Sequence, residues 1–457
     1  MTSHPQPPEP PAGPTPPAGP TVPTVPAVPA TPQPPPPPLP AAQPPAPTAA
    51  REREPILDLL RGFALLGILL VNIELMRGPA LFDALAGELA RPTSGADRVT
   101  SFLVGWLATG KFISSFAILF GIGAGLLAGK AWSRGWSAHR LLARRYTMLA
   151  GFGLAHMLLL FPGDVLFAYA LTGFALLLFL RVQPRTAVWW GVGIVTALTV
   201  VATLFVALAA ALEDLVPEAA AEDPFTEAMS GFFDGRREAT IAAYTEGSLG
   251  EVLGARAFEA LLIQGGTLLT VPWLLGLFLL GFAATRSGVA TDLATHRPLL
   301  RRLAVGGLAV GLPTNLVLGM VGTVGAATGT TADLELTWVA VSASAAQLLA
   351  APTLAVGYLA TISLLALRVG TWRPLAAVGQ MALTAYLTQS LVATVVFVAL
   401  GTYGSWTATS ALAVVAGTWA LLLVACPLWL RWFRFGPVEW VWRCWTYRGW
   451  QPLRRER

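Results

Sequence analysis

The chain has 457 residues, of which 54% are hydrophobic and only 12% charged, with a formal net charge of +5. Soluble domains carry about 25% charged residues, and here the apolar residues come in long blocks with the basic ones at their ends. That pattern excludes a soluble enzyme and a nucleic-acid partner, and it requires a polytopic membrane protein with the lipid bilayer as solvent.

In chain order, residues 1–50 are mostly Pro, Ala and Thr, densest at PQPPPPPLP. Proline fixes φ and removes the backbone donor, so this is a disordered, polyproline-like tail with no core. It lacks the basic start and short apolar run of a signal peptide. Ten apolar runs long enough to span follow, at 56–76, 108–129, 146–161, 165–181, 187–212, 260–284, 303–326, 337–367, 375–400 and 408–430. The third and fourth meet at the turn signal Phe161-Pro162-Gly163-Asp164. The eighth is too long to cross upright and tilts or kinks, with Pro352 as the candidate position. The predicted fold class is all-α: a transmembrane helix bundle of about ten spans over residues 51–448, closed by a basic tail at 449–457.

Charge predicts the orientation. With the N-terminus in the cytoplasm, 22 of the 30 Lys and Arg fall in cytoplasmic segments and seven outside, with Arg61 inside the first span. Both termini are therefore expected in the cytoplasm of a multi-pass protein of the cell membrane. The one long outside segment, 213–259, opens on the acidic EDLVPEAAAEDPFTEAM, and 225–244 carries apolar residues at helical spacing. Two readings stand for it, an amphipathic helix on the membrane surface and a solvated loop.

The first span, ILDLLRGFALLGILLVN, contains Asp58, Arg61 and Asn72. Asp58 and Arg61 are neighbours on one helix face. Arg61 and Asn72 are eleven apart, which returns to within about 20° of the same direction. An ionisable residue in a spanning helix costs roughly 2.5–3.5 kcal/mol, so this face turns inward, either as an ion pair tying helices or as part of a site. The third span repeats the spacing: Arg145 lies eleven residues before His156, about 17 Å along the helix. Of four histidines, only His156 is at membrane depth. It is either a hydrogen-bonded helix link or a general base, with Asp164 just beyond to orient its ring. Lys111 enters the second span near the predicted level of Asn72 and His156, either as an oxyanion partner or snorkelling to the interface. Gly121, Gly125 and Gly129 form a small-xxx-small ridge for close helix packing. Gln389 stands with Gln264, Asn315, Gln347 and Gln380 among later polar positions that together predict a polar lumen. Cys426 and Cys444 match no metal spacing, and no metal is expected.

Five stretches in order, LDLLRGFALLGILLVNI, GKFISSFAILFGIG, RRYTMLAGFGLAHMLLLFPGDVLFAYALTG, GQMALTAYLTQS and RFGPVEWVWRCWTY, resemble the YeiB-like family of bacterial membrane proteins, a domain of unknown function. The resemblance runs from about residue 54 to 448, leaving the proline tail outside. That family in turn resembles integral-membrane acyltransferases, which implies an acyl donor such as acetyl-CoA or another acyl-CoA. The sugar O-acetyltransferases among them carry Arg-x10-His on the first helix. The matching positions here are Arg61 and Asn72, so the histidine is absent. The lysosomal-type enzymes place an asparagine there and a histidine about eleven residues on, where this chain has Asp83. His156 would then serve as the base, with Asn72 or Lys111 at the oxyanion. Asp58, Arg61, Arg144, Arg145 and Gln389 are the expected donor- and substrate-binding residues. The acceptor would be a small molecule or glycan on the outside. A small-molecule transporter using the same polar residues as a path, and a membrane scaffold recruiting a partner through the proline tail, are the rival readings; self-association stays open.

Overall fold

The computed structural model describes residues 55–85, 94–213, 224–328 and 334–455. The proline tail and the acidic start of the 213–259 segment lie outside the described residues. Fifteen helices are described: α1 (Pro55–Arg77), α2 (Ala80–Leu85), α3 (Gly95–Leu107), α4 (Lys111–Ser133), α5 (Ala138–Leu159), α6 (Leu166–Leu176), α7 (Pro184–Glu213), α8 (Pro224–Thr245), α9 (Leu249–Arg286), α10 (Arg297–Thr328), α11 (Leu334–Val369), α12 (Arg373–Gln380), α13 (Ala382–Ala393), α14 (Ala408–Trp432) and α15 (Pro437–Tyr447). Among the described residues no strand forms, and a single isolated bridge joins Phe433 to Arg454.

Among the described residues, eight helical segments are long and apolar enough to cross a bilayer. The third and fourth predicted spans are helices too, but of a different kind. Arg140, Arg144 and Arg145 occupy the first two turns of α5, and α6 with its closing 3₁₀ turn is only 14 residues long, Leu166–Phe179. At 1.5 Å per residue that is about 21 Å, short of a hydrocarbon core about 30 Å thick. The two form an inner hairpin packed on each other and on α9. At the periphery, α7 and α10 present apolar side chains outward, among them Trp189, Phe205 and Val305, as helices facing lipid do. Helix α8 occupies the positions where apolar spacing predicts one, and α9 begins eleven residues earlier than the predicted span at 260.

The predicted ninth span is not continuous. Helix α12 ends at Gln380, Met381 leaves the helical region at φ −109°, ψ 32°, and α13 starts anew at Ala382 before closing in a π-helical stretch, Thr394–Ala399. Helix α12 packs against α1 through glycines. A Cβ on Gly379 would collide with the Asp58 carbonyl, and one on Gly62 with the Leu375 carbonyl. A second close approach joins α4 to α9, where Gly121 abuts the Phe278 backbone and Gly281 the Ile118 backbone. The predicted ridge is thus half right: Gly121 and Gly125 sit in that contact, whereas Gly129 faces open space. Gly379→Ala is therefore expected to lower the thermal stability of the purified protein by about 1–3 kcal/mol, the cost of overpacking. Gly129→Ala should leave it unchanged or raise it slightly, because alanine is the better helix former.

Candidate functional site

The α5–α6 turn carries the buried chemistry. His156, in the last turn of α5, has both ring nitrogens engaged: Nδ1 lies 2.8 Å from Asp164 Oδ1, and Nε2 lies 2.8 Å from Ser390 Oγ on α13. Asp164 Oδ2 accepts the Phe167 amide at 2.8 Å. A carboxylate that accepts on both oxygens requires the imidazole proton on Nδ1, which leaves the Nε2 lone pair to accept the serine hydroxyl. The histidine and aspartate side chains have no solvent exposure. Gly153, one turn before His156, makes room for them, since a Cβ there would press on the Phe167 amide and Asp164 Oδ2.

The turn is pinned from outside the hairpin. Gln264 of α9 donates to the Asp164 carbonyl at 2.9 Å, Thr394 donates to the Leu160 carbonyl at 3.0 Å, and Arg256 donates to the Leu159 carbonyl. The position of Asp164 is thus set by donors from α9 and from the end of α13 rather than by a free loop.

Below this relay is a cavity of about 610 Å³ enclosed by α1, α4, α5, α6, α13 and α15. Its mouth carries Arg61, Lys130, Arg134, Arg145 and Arg443, against the two carboxylates Asp58 and Glu439. Two of these cations are held over rings, Arg145 at 3.6 Å from the Trp442 centroid and Arg443 at 4.4 Å from that of Phe435. The walls turn apolar and aromatic with depth, through Phe120, Tyr146 and Tyr169. Along α4 the lining runs from Ser133 to Phe116, about 25 Å at 1.5 Å per residue. The deep end is closed by Val165, Leu166 and Tyr386, and the Tyr386 ring packs 4.9 Å from the His156 ring, centroid to centroid. The Tyr386 hydroxyl sits near the Val165 amide without a hydrogen bond of good geometry.

Glu439 sets the position of α13. Its Oε1 accepts the amides of Leu383 at 2.6 Å and Thr384 at 2.9 Å, and its Oε2 accepts the Thr384 hydroxyl at 2.5 Å. These amides are the ones a helix start leaves without partners. Burial pushes the Glu439 carboxyl upward, while the Thr384 and Leu383 donors pull it back down. The C-terminal helix α15 is therefore part of the site and not an appendage.

The residues expected from sequence separate into two groups. Asp58 and Arg61 form the anticipated ion pair at 2.8 Å, and with Arg145 they line the cavity. His156 and Asp164 meet beyond its deep end. The others are turned elsewhere. Lys111 is fully buried and donates to the Gly105 carbonyl at 2.8 Å. Gln389 donates to the Leu65 carbonyl at 3.2 Å. Arg144 offers its backbone carbonyl to Trp445, and Asn72 is half-buried and lines neither the main cavity nor the small one beside Ser390. Ser390 and Glu439 have no sequence signal of their own: a serine in TQSL and a glutamate in GPVEW become site residues only when α13 and α15 are placed.

A family model described as a protein of unknown function (DUF418) matches residues 284–449, the part of the chain that contains Tyr386, Ser390 and Glu439. The uncharacterized protein YxaH of Bacillus subtilis (strain 168) is 30% identical over 431 residues, covering 90% of this chain and 98% of YxaH. The uncharacterized protein YeiB of Escherichia coli (strain K12) is 30% identical over 437 residues, covering 88% of this chain and 98% of YeiB. The chain belongs to the YeiB-like family of unknown function. The similarity to YxaH and YeiB extends over nearly the whole of each chain, so it takes in the region of the His156 relay as well as the DUF418 segment. No solved structure matches.

Two outcomes follow for this YeiB-like bundle. Glu439→Ala strands the Leu383 and Thr384 amides, and is expected to lower stability by about 1–3 kcal/mol in thermal unfolding. Glu439→Gln, which keeps an acceptor oxygen, should lose less. Asp58→Asn and Arg61→Gln should be non-additive, with a coupling of about 0.5–3 kcal/mol in a double-mutant cycle. The lower part of that range is expected because Arg61 is 28% exposed to the cavity.

Proposed function

We propose that this protein transfers an acyl group from a cytoplasmic acyl-CoA-like thioester to a hydroxyl or amine acceptor on the other side of the membrane. One observation supports the reading above the rest: a cavity with five basic side chains at its mouth runs about 25 Å inward and ends against Tyr386, which packs on His156. An anionic head with a long, thin, largely apolar arm fits such a space. The arginines and lysine attract the phosphates, and the aromatic walls take the arm. With both termini in the cytoplasm, as the positive-inside rule expects, the basic mouth faces the donor's compartment.

In this reading His156 is the general base. Its Nε2 lone pair takes the proton from the attacking group, and Asp164 stabilises the imidazolium that forms. The buried setting keeps water from competing for the acyl group. Arg61 and Arg145 act on binding, and Asp58 orients Arg61.

The test uses the full-length protein in nanodiscs with radiolabelled acetyl-CoA. His156→Ala is expected to bind acetyl-CoA as the wild type does and to lose acyl transfer by about 10²–10⁴-fold. Arg145→Ala combined with Arg443→Ala should weaken binding. Wild-type protein that neither binds acetyl-CoA nor releases free thiol from it would overturn the proposal in favour of a permeation path.

A further inference from the structure

We infer that Ser390 is the nucleophile that carries the acyl group between two cavities, so that transfer passes through an acyl-serine ester. The inference rests on the acyl-transfer reading and names the residue that first receives the acyl group. Hydroxyl side chains inside these helices mostly turn back on the preceding turn: Thr388 donates to the Thr384 carbonyl at 2.8 Å, Ser363 to that of Leu359 at 2.7 Å and Thr361 to that of Gly357 at 2.7 Å. Ser390 instead points Oγ at His156 Nε2, 2.8 Å away, and His156 Nδ1 meets Asp164 Oδ1 at the same distance. Serine, imidazole and carboxylate in that order, the serine from α13 and the other two from the α5–α6 hairpin, are the arrangement that activates a hydroxyl for acyl chemistry.

Position on the helix adds a second, independent observation. Tyr386, one turn before Ser390, lines the large basic cavity, while Ser390 itself lines a separate small one. The small cavity has a volume of about 30 Å³ and is bounded by Tyr244, Arg256, Glu259 and Tyr403. Tyr244 donates a short hydrogen bond to Glu259, and the Tyr244 and Tyr403 rings meet edge to face at 4.7 Å. It has room for roughly one or two waters and is lined by groups that bind hydroxyls and amines. Ser390 therefore stands at the junction of a donor side and an acceptor side that do not share a chamber, and a two-step relay needs no direct meeting of the two substrates.

The steps balance as ordinary acyl exchange. Ser390 Oγ attacks the thioester carbonyl while its proton passes to His156 Nε2. The C–S bond breaks, the thiolate takes that proton and leaves as free thiol, and an ester remains on Ser390. The acceptor hydroxyl or amine then attacks the ester carbonyl and gives its proton to His156. The C–Oγ bond breaks, and the proton returns to Oγ. Side-chain rotation of Tyr386, the wall between the large cavity and His156, opens the first step.

The experiment incubates full-length protein with acetyl-CoA and no acceptor, then maps peptides by mass. Wild type is expected to release thiol in a burst of one equivalent and to hold a hydroxylamine-labile acetyl ester on the peptide containing Ser390. In Ser390→Ala the burst and the adduct should fall by at least about 10³-fold with acetyl-CoA binding retained. Ser390→Cys should instead trap a thioester at the same position. Thiol release at the wild-type rate in Ser390→Ala, or thiol release in wild type with no adduct in single-turnover samples, would overturn the serine relay and leave the acyl-transfer reading standing. Absence of acetyl-CoA binding in wild type would remove both.

Discussion

A helix broken inside a packed bundle leaves amides that water cannot reach, and each such group costs free energy when it is buried without a partner. The break between α12 and α13 is therefore possible only with a partner built for it, and Glu439 is that partner, taking the Leu383 and Thr384 amides on one oxygen. Much of the site follows from this contact. It fixes where α13 begins, and hence which turn of α13 faces the cavity and which faces His156. It also draws α15 under the bundle, bringing Trp442 and Arg443 to the cavity mouth.

The second constraint is that polar groups at depth must satisfy one another. The α5–α6 hairpin shows how. Its turn gives up carbonyls at Leu159, Leu160 and Asp164, and the chain returns donors from Arg256, Thr394 and Gln264. With the turn held this way, Asp164 is left to hold His156, and His156 to meet Ser390. Rigidity of this kind suits chemistry better than a permeation path, because a proton acceptor must stay within hydrogen-bond distance of the group it serves.

Close packing sets the remaining geometry. Glycines at 62 and 379 let α1 and α12 touch backbone to backbone, and glycines at 121 and 281 do the same for α4 and α9. These contacts hold α1 and α4 against their neighbours along the cavity, and the aromatic cluster of Phe120, Tyr146, Tyr169 and Phe278 joins α4, α5, α6 and α9.

The sequence by itself determined the all-α membrane class and where most of the apolar helices run, because hydrocarbon thickness dictates run length and every apolar block is a local property. It also pointed to Asp58, Arg61 and His156, since an ionisable group at membrane depth is conspicuous wherever it stands, and to Arg145 and Asp164 at the two ends of the His156 helix. Close pairs along the chain were legible for the same reason: Asp58 with Arg61 is one helical turn, and His156 with Asp164 is one hairpin turn. Lys111, Gln389 and Asn72 were equally conspicuous, yet which way each turns depends on neighbours far along the chain, and Lys111 and Gln389 spend their donors on backbone carbonyls. Only the tertiary structure decided that the ninth span breaks at Met381, that Glu439 caps the new helix from 55 residues away, and that Ser390 meets a histidine 234 residues before it. A serine within an apolar helix carries no local mark of reactivity. The role proposed for Ser390 rests on the imidazole set beside it, and that juxtaposition exists only once α5 and α13 are packed.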